Sequence, residues 1–80
     1  MVEEFEFGIG DRVRFEPVES FFKAGSDEDI GKYFPKVGTV GKVVGYSVHN
    51  IHSVFVQWPE GETVHDGRWF VRDKHLRKVD

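Results

Sequence analysis

The segment VGTVGKVVGYSVHNIHSVFVQW, residues 37–58, decides the fold of this chain. β-Branched and aromatic residues, which favour pleated structure, dominate both of its ends. The connector between the ends, Ser47 to His52, is short enough to fold the second end back antiparallel on the first. The segment therefore predicts a central β-hairpin with arms at Val37–Tyr46 and Ser53–Trp58.

Three glycines interrupt the first arm of this hairpin, at Gly38, Gly41 and Gly45. A residue without Cβ tolerates a bulge or a sharp bend inside a strand. We therefore expect this arm to be a long strand that bends, as strands do when they close a small barrel.

Two alternating patterns precede the hairpin. Arg12–Glu16 alternates polar and apolar residues, which predicts a strand with Val13 and Phe15 facing the core. The same two-residue period predicts a half-buried extended segment farther upstream, with Phe5, Phe7 and Ile9 on its apolar side.

The chain after the hairpin predicts a turn and two further strands. Pro59 pre-sets one central dihedral of the turn and Gly61 accepts a positive φ. The segments that follow are an outgoing arm at Thr63–His65, a reversal at Asp66–Gly67, a strand at Arg68–Arg72, a helical turn at Asp73–His75 and a closing strand at Leu76–Val79.

Residues 17–36 form the longest stretch without a strand pattern. A capping serine and three acids at Ser26–Asp29 predict one or two helical turns that stop at Gly31. A loop of this length is either functional or packed on the domain. Its apolar residues are expected to anchor it on the barrel or, alternatively, to form a ligand-contacting rim: Phe21, Phe22, Ile30, Tyr33 and Phe34.

Length and composition predict one domain over residues 1–80, with residues 1–8 as a candidate N-terminal extension. The chain has no cysteine, so it has neither disulfides nor thiolate metal ligands. No apolar run approaches the roughly 20 residues that span a bilayer. No basic and apolar leader follows Met1. We therefore expect a complete cytoplasmic protein without membrane contact.

The charge is unevenly distributed along the chain. Residues 1–30 carry a formal charge of -6 and residues 31–80 carry +3, for a net charge of -3. Such asymmetry indicates either an electrostatic interaction surface or ordinary solvated loops and strand faces.

The sequence contains no motif that predicts catalysis. It has no cysteine nucleophile, no phosphate-binding glycine loop and no Gly-x-Ser-x-Gly elbow. His49 and His52 have a spacing that can ligate zinc, but only His65 and Asp66 suggest further ligands. We expect no enzyme activity, no cofactor and no bound metal.

The order of these parts resembles that of SH3-like small barrels. The similarity covers Ile9 to Val79. The Gly-Asp-x-Val opening and the Gly-Thr-Val second strand are similar to KOW-type modules of transcription and translation proteins. The Val-x-Val-Gln-Trp-x-x-Gly run is similar to mind-bomb-type domains, and short hypothetical proteins of bacteria and phages share the arrangement. The resemblance implies an all-β, five-stranded SH3-like barrel with a long first loop that carries a short helical turn.

The resemblance also implies that aromatic residues bind a ligand. SH3-like relatives bind peptides or methylated side chains between rings of the first loop and of the central hairpin. Alternation adds that Phe55 and Phe70 face outward on neighbouring strands if Val54 and Val71 face inward. The candidate residues for an unknown protein or peptide are Tyr33, Phe34, Phe55, Trp58, Trp69 and Phe70.

The alternative function is that of a module associated with nucleic acid or the ribosome. The acidic loop would repel phosphate, so RNA would have to bind the basic C-terminal half. The candidate residues for this function are Lys42, Arg68, Arg72, Lys74, Arg77 and Lys78. In either case we expect a monomer or a weak homodimer.

Overall fold

A computed structural model describes residues 7–48, 52–64 and 70–79 of the chain. Its main element is one sheet of five antiparallel strands in the order β4-β3-β2-β1-β5. Helical structure is limited to helix α1 and two short 3-10 turns. The elements are β1 Arg12–Phe15, α1 Glu19–Lys23, the first 3-10 turn Ser26–Asp29, β2 Val40–Tyr46, β3 Ser53–Gln57, β4 Phe70–Arg72, the second 3-10 turn Asp73–His75 and β5 Leu76–Val79.

The predicted central hairpin is confirmed as β2 and β3. β2 pairs with β3 on one side and with β1 on the other. It begins at Val40 because Gly38 lies in a turn with a φ of +93° and donates a backbone hydrogen bond to Phe15 O at 2.7 Å. The expected irregularity occurs between Val43 and Gly45, where the register with β3 shifts as in a β-bulge.

The inner face of the sheet carries the core. The residues that alternation placed inward in β1, β3 and β4 are all buried. The core combines these strand residues with rings from the loop, with Phe7 upstream of β1 and with Trp58, which follows β3: Phe7, Val13, Phe15, Phe21, Phe34, Val43, Val54, Val56, Trp58, Val71 and Leu76.

The sheet is not closed, but the connection between its edges forces it to curve. β4 and β5 are the two edges, and only the 3-10 turn Asp73–His75 joins them. Four strand spacings of about 4.8 Å would separate the edges of a flat sheet by roughly 19 Å. The four residue steps from Arg72 to Leu76 span at most about 14 Å. The sheet therefore bends around the core.

The long loop packs on the open end of the core and contains more helix than predicted. The first 3-10 turn lies where a helical turn was predicted, but its N-cap is Gly25 and the predicted cap by Ser26 is wrong, since no side chain caps the turn. The sequence analysis missed α1. Phe21 of α1 is buried, and its ring lies 5.4 Å from that of Phe15 and 5.0 Å from that of Phe34. Burial of Phe21 explains why so short a helix forms, since five residues have little helical stability of their own.

Two predicted extended segments differ from the structure. Phe7 is buried, but Ile9 is 60% exposed. It lies in a turn that Asp11 closes through both its backbone N–H and its carboxylate. Thr63 and Val64 form no strand, and Val64 is 79% exposed. Phe5, His65, Asp66, Arg68 and Trp69 lie outside the described residues.

None of the helices in the described part of the chain has the length and apolar character needed to cross a membrane.

Candidate functional site

Two phenylalanine rings stack on the outer face of the sheet. Phe55 of β3 and Phe70 of β4 are cross-strand partners. Their ring centroids lie 3.7 Å apart, with 16° between the ring planes. Phe70 is 40% exposed and Phe55 is half-buried. The outward orientation predicted for both residues is therefore present, and the two rings form one apolar patch, which we call the aromatic pair.

The strand register explains why the rings lie so close. The backbone N–H of Asp73 donates to His52 O at 2.7 Å, so 52 and 73 are a hydrogen-bonded pair of the β3–β4 ladder. Hydrogen-bonded and non-hydrogen-bonded pairs alternate, which makes Phe55 and Phe70 a non-hydrogen-bonded pair. Such pairs have the shorter Cα separation, about 4.5 Å, and bring side chains together.

The β2–β3 ladder gives the same result independently. The N–H of Ser47 donates to Ser53 O at 3.0 Å, so the backbone groups of Ser53, and of Phe55 two residues later, point toward β2. The backbone N–H and C=O of Phe55 therefore form no hydrogen bond with β4.

The strands around the aromatic pair are basic. The five strands contain six basic residues and no acidic residue. Alternation and pairing place five of these on the outer face, with the aromatic pair: Arg12, Arg14, Lys42, Arg72 and Arg77.

Glu16 neutralises one end of this basic face. Its carboxylate lies 3.6 Å from Arg14 Nη1 and 3.4 Å from Arg77 Nε. Arg12, Lys42 and Arg72 form no ion pair with any described residue. These three exposed cations are therefore available to an anionic ligand.

Arg12 and Lys42 are direct cross-strand neighbours between β1 and β2. Like charges in this position repel each other. They line an open groove of about 510 Å³ that continues past Gln57 to Trp58 and Glu60. An anion in this groove would relieve the repulsion between the two cations.

Two of the predicted aromatic ligand residues belong to the core instead. Phe34 is 9% exposed and Trp58 is 5% exposed. The ring of Phe34 stacks on that of Phe15 with centroids 5.9 Å apart, and Trp58 meets the same ring edge-on. Tyr33 is half-buried against the core, so the loop rings serve mainly as anchors.

The described members of the predicted basic set differ in whether an acid already pairs with them. Lys42, Arg72, Lys74 and Arg77 are exposed, but Arg77 is paired with Glu16. The amino group of Lys78 lies 3.7 Å from the carboxylate of Asp11. Arg68 and Trp69 fall outside the described residues.

The sequence analysis missed Arg12 as a member of the basic face. Alternation placed it outward in β1, but only the register with β2 sets it against Lys42. The signal available in the sequence was that the strand predicted at Arg12–Glu16 has two outward arginines and no acid before its last residue.

Two histidines connect the 3-10 turn after β4 to other parts of the fold: His75 contacts the start of α1, and His52 of the hairpin contacts Asp73. His75 is buried, and its Nδ1 accepts a hydrogen bond from the N–H of Val18 at 3.2 Å. Burial lowers the pKa of His75, nearby Lys74 and Arg72 lower it further, and Asp73 opposes them. Exposed His52 contacts Asp73 through Nδ1 and Oδ2 at 3.1 Å.

The described residues contain no group of three metal-ligating side chains. His49 and His65 lie outside that part of the chain. The indole N–H of Trp58 is buried without a hydrogen-bond partner among the described residues.

Comparison with family models, with curated proteins and with solved structures finds no match to this chain.

Proposed function

We propose that this protein is a non-catalytic binding module that recognises a protein or peptide through the aromatic pair. The single observation that carries the proposal is the stacking of Phe55 on Phe70 at 3.7 Å on the outer face of the sheet. Two large rings and the exposed Val44 of β2, on a face whose charged residues are all basic, form the kind of surface that protein partners cover.

An SH3-like barrel, open between β4 and β5, is part of the proposal. The strand order β4-β3-β2-β1-β5 and the bulge in β2 support it. The 3-10 turn that joins the two edge strands supports it as well, because it requires the sheet to curl around the core.

The position of the aromatic pair also favours an interaction role over a structural one. The core on the opposite face already contains Val54 and Val71, the strand neighbours of the two rings. Phe70 therefore contributes its ring to the surface. Exposed aromatic side chains with few rotatable bonds are frequent anchors at protein interfaces.

The test is a selection of yeast-displayed random dodecapeptides on the wild-type protein. Selected peptides should lose binding to the Phe70→Ala variant and keep it to Phe22→Ala. Phe22 is a matched control because it is 46% exposed on α1, away from the patch. Loss of a central aromatic anchor typically weakens binding about 30-fold or more. Equal binding to both variants would contradict the proposal.

A second candidate function is binding of single-stranded nucleic acid across the same face. The specific observation in its favour is that Arg12, Lys42 and Arg72 form no ion pair with described residues while two rings are present for base stacking. Fluorescence anisotropy with a labelled 12-nucleotide single strand tests it. Affinity should fall steeply with salt, and the slope should decrease in the double variant Arg12→Gln and Lys42→Gln. A salt-independent signal would exclude this function.

A further inference from the structure

The backbone of β4 has hydrogen-bonding groups that face away from the sheet. Because Ser53 and Arg72, like Phe55 and Phe70, are non-hydrogen-bonded pairs, the N–H and C=O of Phe70 and Arg72 point toward the open side of β4. Arg72 is also the N-cap of the second 3-10 turn, so its C=O accepts the first backbone hydrogen bond of that turn, from the N–H of His75. β4 therefore presents two donors, the N–H groups of Phe70 and Arg72, and one acceptor, the C=O of Phe70, to an added strand.

The other open edge, β5, is better protected. The same argument applied to the bond from Glu16 N–H to His75 O directs the backbone groups of Leu76 and Lys78 outward. Lys78 at that edge is paired with Asp11. Lys78 pairs with buried Val13 and so lies in the inward phase of β5, where a charge discourages strand addition. The charge of Arg72 in β4, in contrast, is in the outward phase with the exposed ring of Phe70.

The charges beside β4 select the chemistry of the added strand. Arg72 and Lys74 are exposed and form no ion pair with described residues. Asp73, the acid between them, is already engaged by His52. A strand that carries a carboxylate opposite Arg72 would therefore be favoured over a basic one.

We propose that the partner is an extended acidic peptide that adds to β4 as a sixth, antiparallel strand. This inference rests on the proposed function and specifies how the partner binds. Residues opposite Arg72 and Phe70 would share their outer face, and the residue between them would face inward beside Val71. In an antiparallel strand this arrangement reads acidic, β-branched, aromatic from the N- to the C-terminal side.

The probe is the synthetic peptide acetyl-Ser-Thr-Glu-Val-Phe-Thr-Ser-amide, compared with the same peptide containing lysine in place of glutamate. Titration into ¹⁵N-labelled protein should shift the amide signals of Phe70 and Arg72 and slow their hydrogen exchange. The lysine peptide should bind about fivefold or more weakly, as expected for losing one charge-assisted contact.

Methylation of the peptide nitrogens tests strand addition directly. In the proposed register the N–H of the peptide phenylalanine bonds to the C=O of Phe70, whereas that of valine points away from β4. N-methylation at phenylalanine should weaken binding about fivefold or more, and N-methylation at valine should have little effect. Equal effects at the two positions would overturn the inference.

Arg72→Pro provides the matching test on the protein. Arg72 has φ -70° and ψ 140°, which proline adopts without strain, and its N–H is not used by the β3 ladder. Arg72→Gln removes the same charge but keeps the N–H. The proline variant should bind the acidic peptide about fivefold or more weakly than the glutamine variant. Urea unfolding of both variants checks that each remains folded.

The outcomes separate this inference from the proposed function. If Phe70→Ala abolishes binding of library peptides while Arg72→Pro and Arg72→Gln bind the probe equally, the aromatic pair is a binding surface and strand addition is wrong. If neither Phe70→Ala nor Arg72→Pro affects binding, both are wrong. A wild-type dimer in sedimentation velocity that becomes monomeric in Arg72→Pro would also overturn the inference, because a second copy would then occupy the edge.

Discussion

The backbone N–H of Val18 donates a hydrogen bond to Nδ1 of His75, a residue 57 positions farther along the chain. The His75 ring also lies edge-on to Phe21 of α1, with centroids 5.2 Å apart. The start of α1 is thereby attached to the turn that joins the two edge strands. The attachment needs a neutral imidazole, because a protonated Nδ1 cannot accept a hydrogen bond.

Stability should therefore decrease in mildly acidic solution. Burial lowers the pKa of His75 below its ordinary value of about 6.5, so the unfolded chain takes up this proton at a higher pH than the folded one. The contribution of neutral His75 to the free energy of unfolding is complete above about pH 6.5. It is lost as the pH falls from there through the lower pKa of the folded state, by at most about 1.4 kcal/mol per pH unit.

Urea unfolding at pH 7.5, 6.5 and 5.5 measures this effect. The His75→Gln variant is the control, since glutamine can accept the Val18 bond and does not titrate. The free energy of unfolding should fall more steeply with acid in the wild type than in the variant. A His75 ring signal that titrates by NMR at or above pH 6.5 would contradict the assignment.

Gly41 should not tolerate a side chain. A Cβ at this position would lie 2.5 Å from Cε3 of Trp58 and 2.7 Å from the backbone oxygen of Gln57. The backbone contact cannot be relieved by a rotamer change, so Gly41→Ala is expected to cost about 2 kcal/mol or more. Gly45→Ala is the comparison, because its nearest contact is 3.3 Å from a ring atom of Phe55. It should cost less than about 1 kcal/mol in urea unfolding.

Phe34 and Phe22 are both loop phenylalanines, but Phe34 should matter more for stability. Phe34 is buried between the rings of Phe15 and Phe21, whereas Phe22 is 46% exposed. Phe34→Ala should lower the free energy of unfolding by about 3–5 kcal/mol. Phe22→Ala should lower it by only about 1 kcal/mol, since its ring has one edge-on contact, with that of Phe21 at 5.5 Å. Similar values for the two variants would mean that the loop does not cap the core.

Alternation predicted the parts of the fold that depend on local pattern. Val13, Phe15, Val54, Val56 and Val71 face the core because a strand places every second side chain on one side. The 3-10 turn Asp73–His75 and a turn over residues 59–62 with a positive φ at Gly61 were also predicted. The bond from Glu62 N–H to Pro59 O, however, makes Pro59 the first residue of that turn and not a central one. Each of these features is encoded within a few neighbouring residues.

Features that depend on distant partners could not be predicted in this way. Helix α1 forms because the ring of Phe21 packs against those of Phe15 and Phe34. No pattern within Glu19–Lys23 specifies these two contacts. The pairing of Arg12 with Lys42 depends on the register of β1 against β2. Sequence periodicity predicted which face carries each residue, and the register decided which residues meet there.

The candidate site shows the same division. Alternation predicted that Phe55 and Phe70 both face outward, but their stacking at 3.7 Å requires that they form a non-hydrogen-bonded pair. Sequence patterns do not distinguish the two kinds of pair, because both have the same two-residue period. Whether each β3–β4 pair is hydrogen-bonded also determines which backbone groups of β4 face the open edge.

The stacking of Phe55 on Phe70 should be measurable as a coupling energy. In a double-mutant cycle with alanine at both positions, the two rings should show about 0.5–1.5 kcal/mol of interaction beyond the sum of the single changes. Each single variant should remain folded, since Val54 and Val71 keep the core beneath them intact. The pair Phe22 and Phe70 is the control and should be additive within about 0.5 kcal/mol. Additivity for Phe55 and Phe70 would mean that the rings move independently in solution. A partner would then have to order both rings on binding, which would remove much of the advantage of a preformed patch.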